Sequence, residues 1–204
     1  MIGSINPVRV LTMMMLATLC ACAASTVEVR GSYPSPTIQR IPLTLGVYYS
    51  DALRNYTYTE RSQTGDDEYY VESGQTHMEL FNTVLPAMFE NVVLLDDPAQ
   101  ADAMGVDAIF TPSIDEFQLG MPQKTRLEAY EVWVKYNMRL TGPDGSYIAD
   151  WVMTAYGNAT VGGLSTAESG INDAAVAALR DLASNFSISF TAVPDVRDWL
   201  ARRT

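Results

Sequence analysis

Between residues 130 and 141 every second side chain is apolar. Tyr130, Val132, Val134, Tyr136, Met138 and Leu140 alternate with Glu131, Trp133, Lys135, Asn137, Arg139 and Thr141. Strand side chains point alternately to opposite faces, so this period of two predicts one long strand with an apolar and a polar side. Gly142-Pro143-Asp144-Gly145 follows directly. Proline presets φ for a turn and glycine takes a left-handed position, so the chain reverses there. Residues 147–156 then return as the partner strand, and this hairpin is the frame around which the rest must pack.

Shorter signals surround it. Residues 43–49 alternate and predict a first strand, and residues 55–60 a second. Residues 61–74 are polar and acidic and read as a loop. Asp66, Asp67 and Glu68 lie in it, without the alternating ligands and downstream Glu of a calcium loop. Over residues 75–91, Met78, Phe81, Val84, Leu85, Met88 and Phe89 share one helical face. Pro86 should kink that helix or end its regular bonding. Residues 92–95 predict a short buried strand, and residues 98–104 a helical turn. Residues 107–118 predict another strand, with Pro112 marking a bulge or an edge position. Gly162-Gly163 ends the hairpin, and Ser165-Thr166-Ala167-Glu168 has capping-box spacing. The helix that follows runs to about Phe186 along Ile171, Ala175, Ala178, Leu179 and Leu182. Its alanines allow a close approach to a sheet. A short amphipathic end carries Val196, Trp199 and Leu200. The order β-β-α-β-β-β-β-α predicts an α+β fold, a mixed, largely antiparallel sheet with two main helices on one face.

The N-terminus addresses location. Arg9 precedes an apolar run over residues 10–19, too short to span a bilayer as a helix. A charged start, a short apolar stretch and small residues at the exit make a signal peptide over residues 1–21. Leu19-Cys20-Ala21-Cys22 resembles the bacterial lipobox, with Cys22 as the lipidated residue and Cys20 a mild departure. The alternative is an ordinary secreted protein cut near Ala21 or Ala24. Asp after the lipidated cysteine signals inner-membrane retention, and Ala23 stands there instead, which implies the outer membrane. Residues 22–41, punctuated by Pro34 and Pro36, read as a lipidated flexible tether, and residues 42–204 as one periplasmic domain.

Charge and residue inventory restrict the chemistry. The chain holds 13 basic and 24 acidic residues, a net charge of −11. Such a surface repels nucleic acid, and no basic stripe offsets it. Both cysteines are consumed by signal removal and lipidation, which leaves no thiol for catalysis, redox chemistry or metal ligation. His77 is the only histidine. It cannot build a histidine/cysteine metal site, and no Gly-x-Ser-x-Gly elbow accompanies it, so it reads as an ordinary surface residue near a helix start. No phosphate loop or dinucleotide fingerprint occurs, so no cofactor is expected. Asp115, Glu116, Glu128 and Glu131 lie on or near strands. Paired carboxylates of the glycosidase kind remain an option, with solvated strand-face charges the simpler reading.

The hairpin concentrates aromatics. Tyr130, Trp133, Tyr136 and Trp151 form the candidate surface for a protein partner or a glycan, and Trp133 lies among charged residues on the more polar face. The plainer alternative is that aromatics favour strands.

The lipobox, the Leu-Gly-Val strand, the Phe-x-x-Val-Leu helix, the Asp-Ala-Ile-Phe strand and the hairpin with its Gly-Pro-Asp-Gly turn come in a suggestive order. With the closing Asn-Asp-Ala-Ala-Val-Ala-Ala-Leu-Arg-Asp-Leu helix, the layout resembles the YajG-like family of outer-membrane lipoproteins. It is also similar to the periplasmic domains of the curli-secretion lipoprotein and of the lipoprotein activators of penicillin-binding proteins. The resemblance implies a non-catalytic protein anchored in the outer membrane that assembles with or regulates an envelope protein complex. Peptidoglycan binding through the hairpin aromatics is the alternative, and homo-oligomers are compatible with either.

Overall fold

A computed structural model describes residues 24–61, 68–125, 127–162 and 166–203. The hairpin is built as its alternation demands. β7 (Ala129–Thr141) and β8 (Tyr147–Thr160) pair antiparallel along their length. In the turn Gly145 has φ 80°, which a residue with a Cβ adopts only at a cost. The Gly142 and Ser146 backbones bond across it, and Asp144 Oδ1 accepts from Ser146 N.

The hairpin extends into a five-stranded sheet of order β5-β2-β6-β7-β8. β6 (Ala108–Gly120) pairs antiparallel with β7, whereas β2 (Ile41–Tyr48) lies parallel to both β6 and β5 (Phe89–Leu95). A second sheet, β1-β4-β3, joins β1 (Ala24–Glu28), β4 (Glu68–Glu72) and β3 (Thr57–Arg61). The fold is thus α+β with mixed strand directions, as expected, in two sheets rather than one.

The helices are α1 (Asp51–Arg54), α2 (Gly74–Met88), α3 (Pro122–Thr125), α4 (Ala167–Ser189) and α5 (Pro194–Ala201). Two dominate. α2 buries Leu80, Phe81, Val84, Leu85 and Met88, and α4 buries Ile171, Ala175, Ala178, Leu179, Leu182 and Phe186. Phe81, Phe110 and Phe186 meet at 5.4–5.8 Å between ring centres. Each such side chain, fully buried, contributes roughly 1.5–3 kcal/mol. Pro86 sits exposed in the last turn of α2, which ends two residues later. α4 lies close on the sheet: a Cβ on Gly157 of β8 would overlap the backbone of Ala174 and Ala178. Its cap is Thr166, whose Oγ1 accepts from Ser169 N. Ser165 lies outside the described residues, as do Gly163, Asp66, Asp67 and Cys22.

Four expectations are corrected. First, residues 24–33 are not a free tether. β1 pairs with β4, Val27 and Val29 join the core, and Arg30 N donates to Asn172 Oδ1. Arg180 Nε donates to Ser32 O, and Tyr33 bonds Thr76 inside the protein. Only residues 34–40 form the exposed, proline-rich connector that the composition suggested. Second, the segment read as a loop over residues 61–74 contains β4, whose Val71 is fully buried. Third, the strand at residues 92–95 is an edge strand with Leu94 58% exposed. Fourth, of the two readings of Pro112 the edge position holds, and the bulge of β6 lies instead at Asp115, between Ile114 and Glu116. Pro112 is buried, past the point where β2 leaves β6, so β7 alone flanks it there. Before the bulge Phe110 and Ile114 face the core; after it Phe117 and Leu119 do. One extra residue inverts the phase of the strand.

Candidate functional site

α2 and α4 cover one face of the large sheet. On the other, residues 96–106 fold over the β5-β2 end, where Leu95, Ala101, Val106 and Ile109 make a small second cluster. Among the described residues no such layer lies over the β6-β7-β8 end of that face. Cross-strand register sets its side chains in rows: Gln118, Trp133 and Tyr156; then Glu116, Lys135 and Thr154; then Ser113, Asn137 and Val152; then Thr111, Arg139 and Asp150.

Trp133 is half-buried in the middle strand, with Tyr156 (47% exposed) beside it and Val152 (52%) two rows along. Polar groups frame them. Arg139 Nε and Nη2 both donate to Asp150 Oδ2, at 3.0 and 2.9 Å. Tyr156 Oη donates to Glu131 Oε1 at 2.6 Å, and Lys135 Nζ lies 3.8 Å from Asp115 Oδ2. An aromatic centre ringed by paired charges suits recognition by contact. The carboxylates raised as an enzyme pair do not face each other across a cleft. Asp115, Glu116 and Glu131 lie on this open face, bonded to Lys135, Gln118 and Tyr156, and Glu128 is exposed at the sheet's end.

Two of the four aromatics expected at the surface are instead core, and a third, Trp151, is half-buried against it. Tyr130 and Tyr136 occupy even positions of β7, which face the helices, and are 6% and 0% exposed. Trp151 pairs with Met138 on that same side and packs on Phe110, Phe186 and Phe190. Trp133 alone stays on the open face, and Tyr156 joins it. Counting back from Trp133 through the turn would have placed Tyr156 there had the register been known.

His77 is also corrected. It is 1% exposed, in the first turn of α2, not a surface residue. Its Nδ1 lies 2.6 Å from Tyr136 Oη, and its Nε2 3.0 Å from Ser73 Oγ. Tyr56 and Tyr136 meet the ring edge-on. Burial holds the imidazole neutral, with its pKa pushed down to about 3, and holds the Tyr136 phenol protonated. Tyr136 therefore donates to Nδ1, which leaves the proton on Nε2 to donate to Ser73. So weak a base cannot activate Ser73, itself 1% exposed. The trio ties the start of α2 to the centre of β7. The signal was present in the sequence: His77 stands at helical spacing from Leu80, Phe81 and Val84.

Among the described residues no three His, Cys, Asp or Glu side chains converge as a metal site would require. No protein-family model and no curated protein matches the sequence. Solved structures do. A Xanthomonas campestris protein of the DUF330 family superposes with a TM-score of 0.55 at 12% identity, over 89% of this chain and 99% of that one. The likeness is one of fold. Weaker overlap is found with a candidate homolog, from Helicobacter pylori, of a neuraminyllactose-binding hemagglutinin (TM-score 0.49, 10% identity, 86% and 97% covered). The minor lipoprotein of Acinetobacter baumannii overlaps less (TM-score 0.42, 12% identity, 76% and 94% covered).

Proposed function

We propose that this chain is a non-catalytic lipoprotein of the Gram-negative envelope. It is acylated on Cys22, held at the periplasmic face of the outer membrane, and binds an envelope protein through the open β6-β7-β8 face. The observation that carries the reading is that face: one side of the sheet is covered by helices, and the other presents Trp133, Tyr156 and Val152 within a frame of ion pairs. The lipobox supplies the address, and Ala23 in place of Asp supplies the outer membrane. Confinement by the anchor raises the effective concentration of a membrane partner, so a modest contact area suffices. Kinship with the YajG-like proteins belongs to the same proposal.

A glycan is the second reading. The Trp133–Tyr156 pair, with Gln118, Glu131 and Asn158 around it, has the aromatic platform and hydrogen-bonding rim that a sugar needs.

A photo-crosslinker at position 152, in cells, tests the protein partner. It is expected to trap one envelope protein, and Trp133→Glu is expected to abolish the adduct while circular dichroism shows the fold retained. Muropeptides that shift the fluorescence of the wild type, but not of Trp133→Phe, would instead select the glycan. Neither adduct nor shift would sink the assignment of this face.

A further inference from the structure

We infer that the end of the domain bearing Leu127 and Val161 rests on the bilayer that holds the anchor, with these two side chains in contact with lipid. The inference rests on the acylation of Cys22 proposed above.

Four contacts gather the starts of β1, α4 and β7, the ends of β6 and β3, and α3 at one end of the domain. The start of β1 reaches the start of α4, where the Ser25 side chain bonds the Glu168 carboxyl. The start of α4 meets the start of β7, because Gly170 is packed against Tyr130. The end of β6 pairs with the start of β7, Gly120 opposite Glu131. The end of β3 is tied to α3 by the Lys124–Glu60 ion pair. Val161, just past β8, donates its N–H to Glu128 O at 2.9 Å, beside Leu127.

β1 begins at Ala24, two residues after Cys22. Two residues span at most about 7 Å even when fully extended. An acylated Cys22 therefore brings this end to the membrane surface, since β1 is part of the fold rather than a leash. Leu127 is 52% and Val161 48% exposed, and with Pro122, Gln123 and Glu128 they border an open groove of about 520 Å³. The nearest described cations do not draw it to acidic headgroups, because Arg61 and Lys124 are paired with Glu68 and Glu60. Apolar contact, imposed by the short link, is what remains. Tyr147, 66% exposed, begins β8 beyond the hairpin turn, at the opposite end of the sheet.

The test uses the full-length lipidated protein in phosphatidylcholine vesicles with brominated acyl chains. Single variants Leu127→Cys, Val161→Cys and Tyr147→Cys, all made with Cys20→Ser, each carry a fluorophore on the introduced thiol, and intact mass is read on every sample. Quenching at positions 127 and 161, absent at 147 and absent in a Cys22→Ser background, is the expected result. Correct lipidated mass with no quenching at 127 or 161 overturns the docking alone. An unacylated mass overturns the lipoprotein reading, and the docking falls with it.

Discussion

Gly157→Ala is expected to cost about 3 kcal/mol or more, and to lower the melting temperature by roughly 10 °C. Gly157 sits in β8 where α4 crosses. An added methyl would overlap the backbone nitrogen of Ala178 and the carbonyl oxygen of Ala174. A flexible side chain could swing aside, but helix backbone cannot, so the whole of α4 must lift off the sheet. That helix contributes ten buried residues to the core, Phe186 among them. Gly145→Ala is the control. It too introduces a methyl, but into open space at φ 80°, so only the strain of the left-handed backbone is added, about 1 kcal/mol. Urea unfolding followed by circular dichroism reads both. A Gly157→Ala protein as stable as Gly145→Ala would mean that α4 does not pack against β8 as described.

The second large effect is a loss of stability in mild acid. His77 titrates near 6.5 when unfolded and near 3 when folded. The folded value is the lower one, so below pH 6.5 the unfolded chain binds one proton more than the native state. Stability is complete above 6.5 and falls as pH drops towards 3, by about 1.4 kcal/mol per unit. Between pH 7 and pH 5 the loss amounts to about 2 kcal/mol. Tyr136, Tyr56 and Ser73 face the ring, and none of them supplies a negative charge to an imidazolium. Its place in the first turn of α2 adds the positive end of the helix dipole. Carboxylates held low by hydrogen bonds, such as Glu168, keep their stabilisation above their unfolded value of about 4.5 and lose it only below that. The window from 6.5 to 5 is therefore His77's, because the chain has no other histidine. Urea unfolding at pH 7 and pH 5 should show the slope in the wild type and none in His77→Gln. A wild-type stability flat across that interval would contradict the buried neutral imidazole.

What could be read in advance follows from the range of the interactions. The β7-β8 hairpin is local: an alternation, a turn and a return, all within 32 residues from Ala129 to Thr160. α4 carries its own apolar stripe and was equally legible. β1 and β4 were not, because each buries a single residue, Val27 or Val71, and their pairing is parallel and remote in sequence. A polar strand whose outer face meets water has the composition of a tether or a loop. The candidate surface was misassigned for a related reason. Alternation says that β7 has two faces, and Trp133 was placed correctly among the charges. Tyr130, Tyr136 and Trp151 belong to the opposite face, where the helical layer buries the two tyrosines and half-buries Trp151. The β6 bulge at Asp115 hid the same information in the neighbouring strand by shifting its phase.

The chemical state of Cys22 separates an anchored protein from a secreted one. Intact mass of the protein recovered from cell membranes is the direct measurement, taken beside Cys22→Ser from the soluble fraction. The expected wild-type mass is that of residues 22–204 plus a diacylglyceryl group and an N-terminal acyl chain, with no such species in the mutant. A membrane-free wild-type chain, beginning at an unmodified Cys22 or cut at a neighbouring residue, would contradict the anchored reading and leave a secreted domain with the same fold.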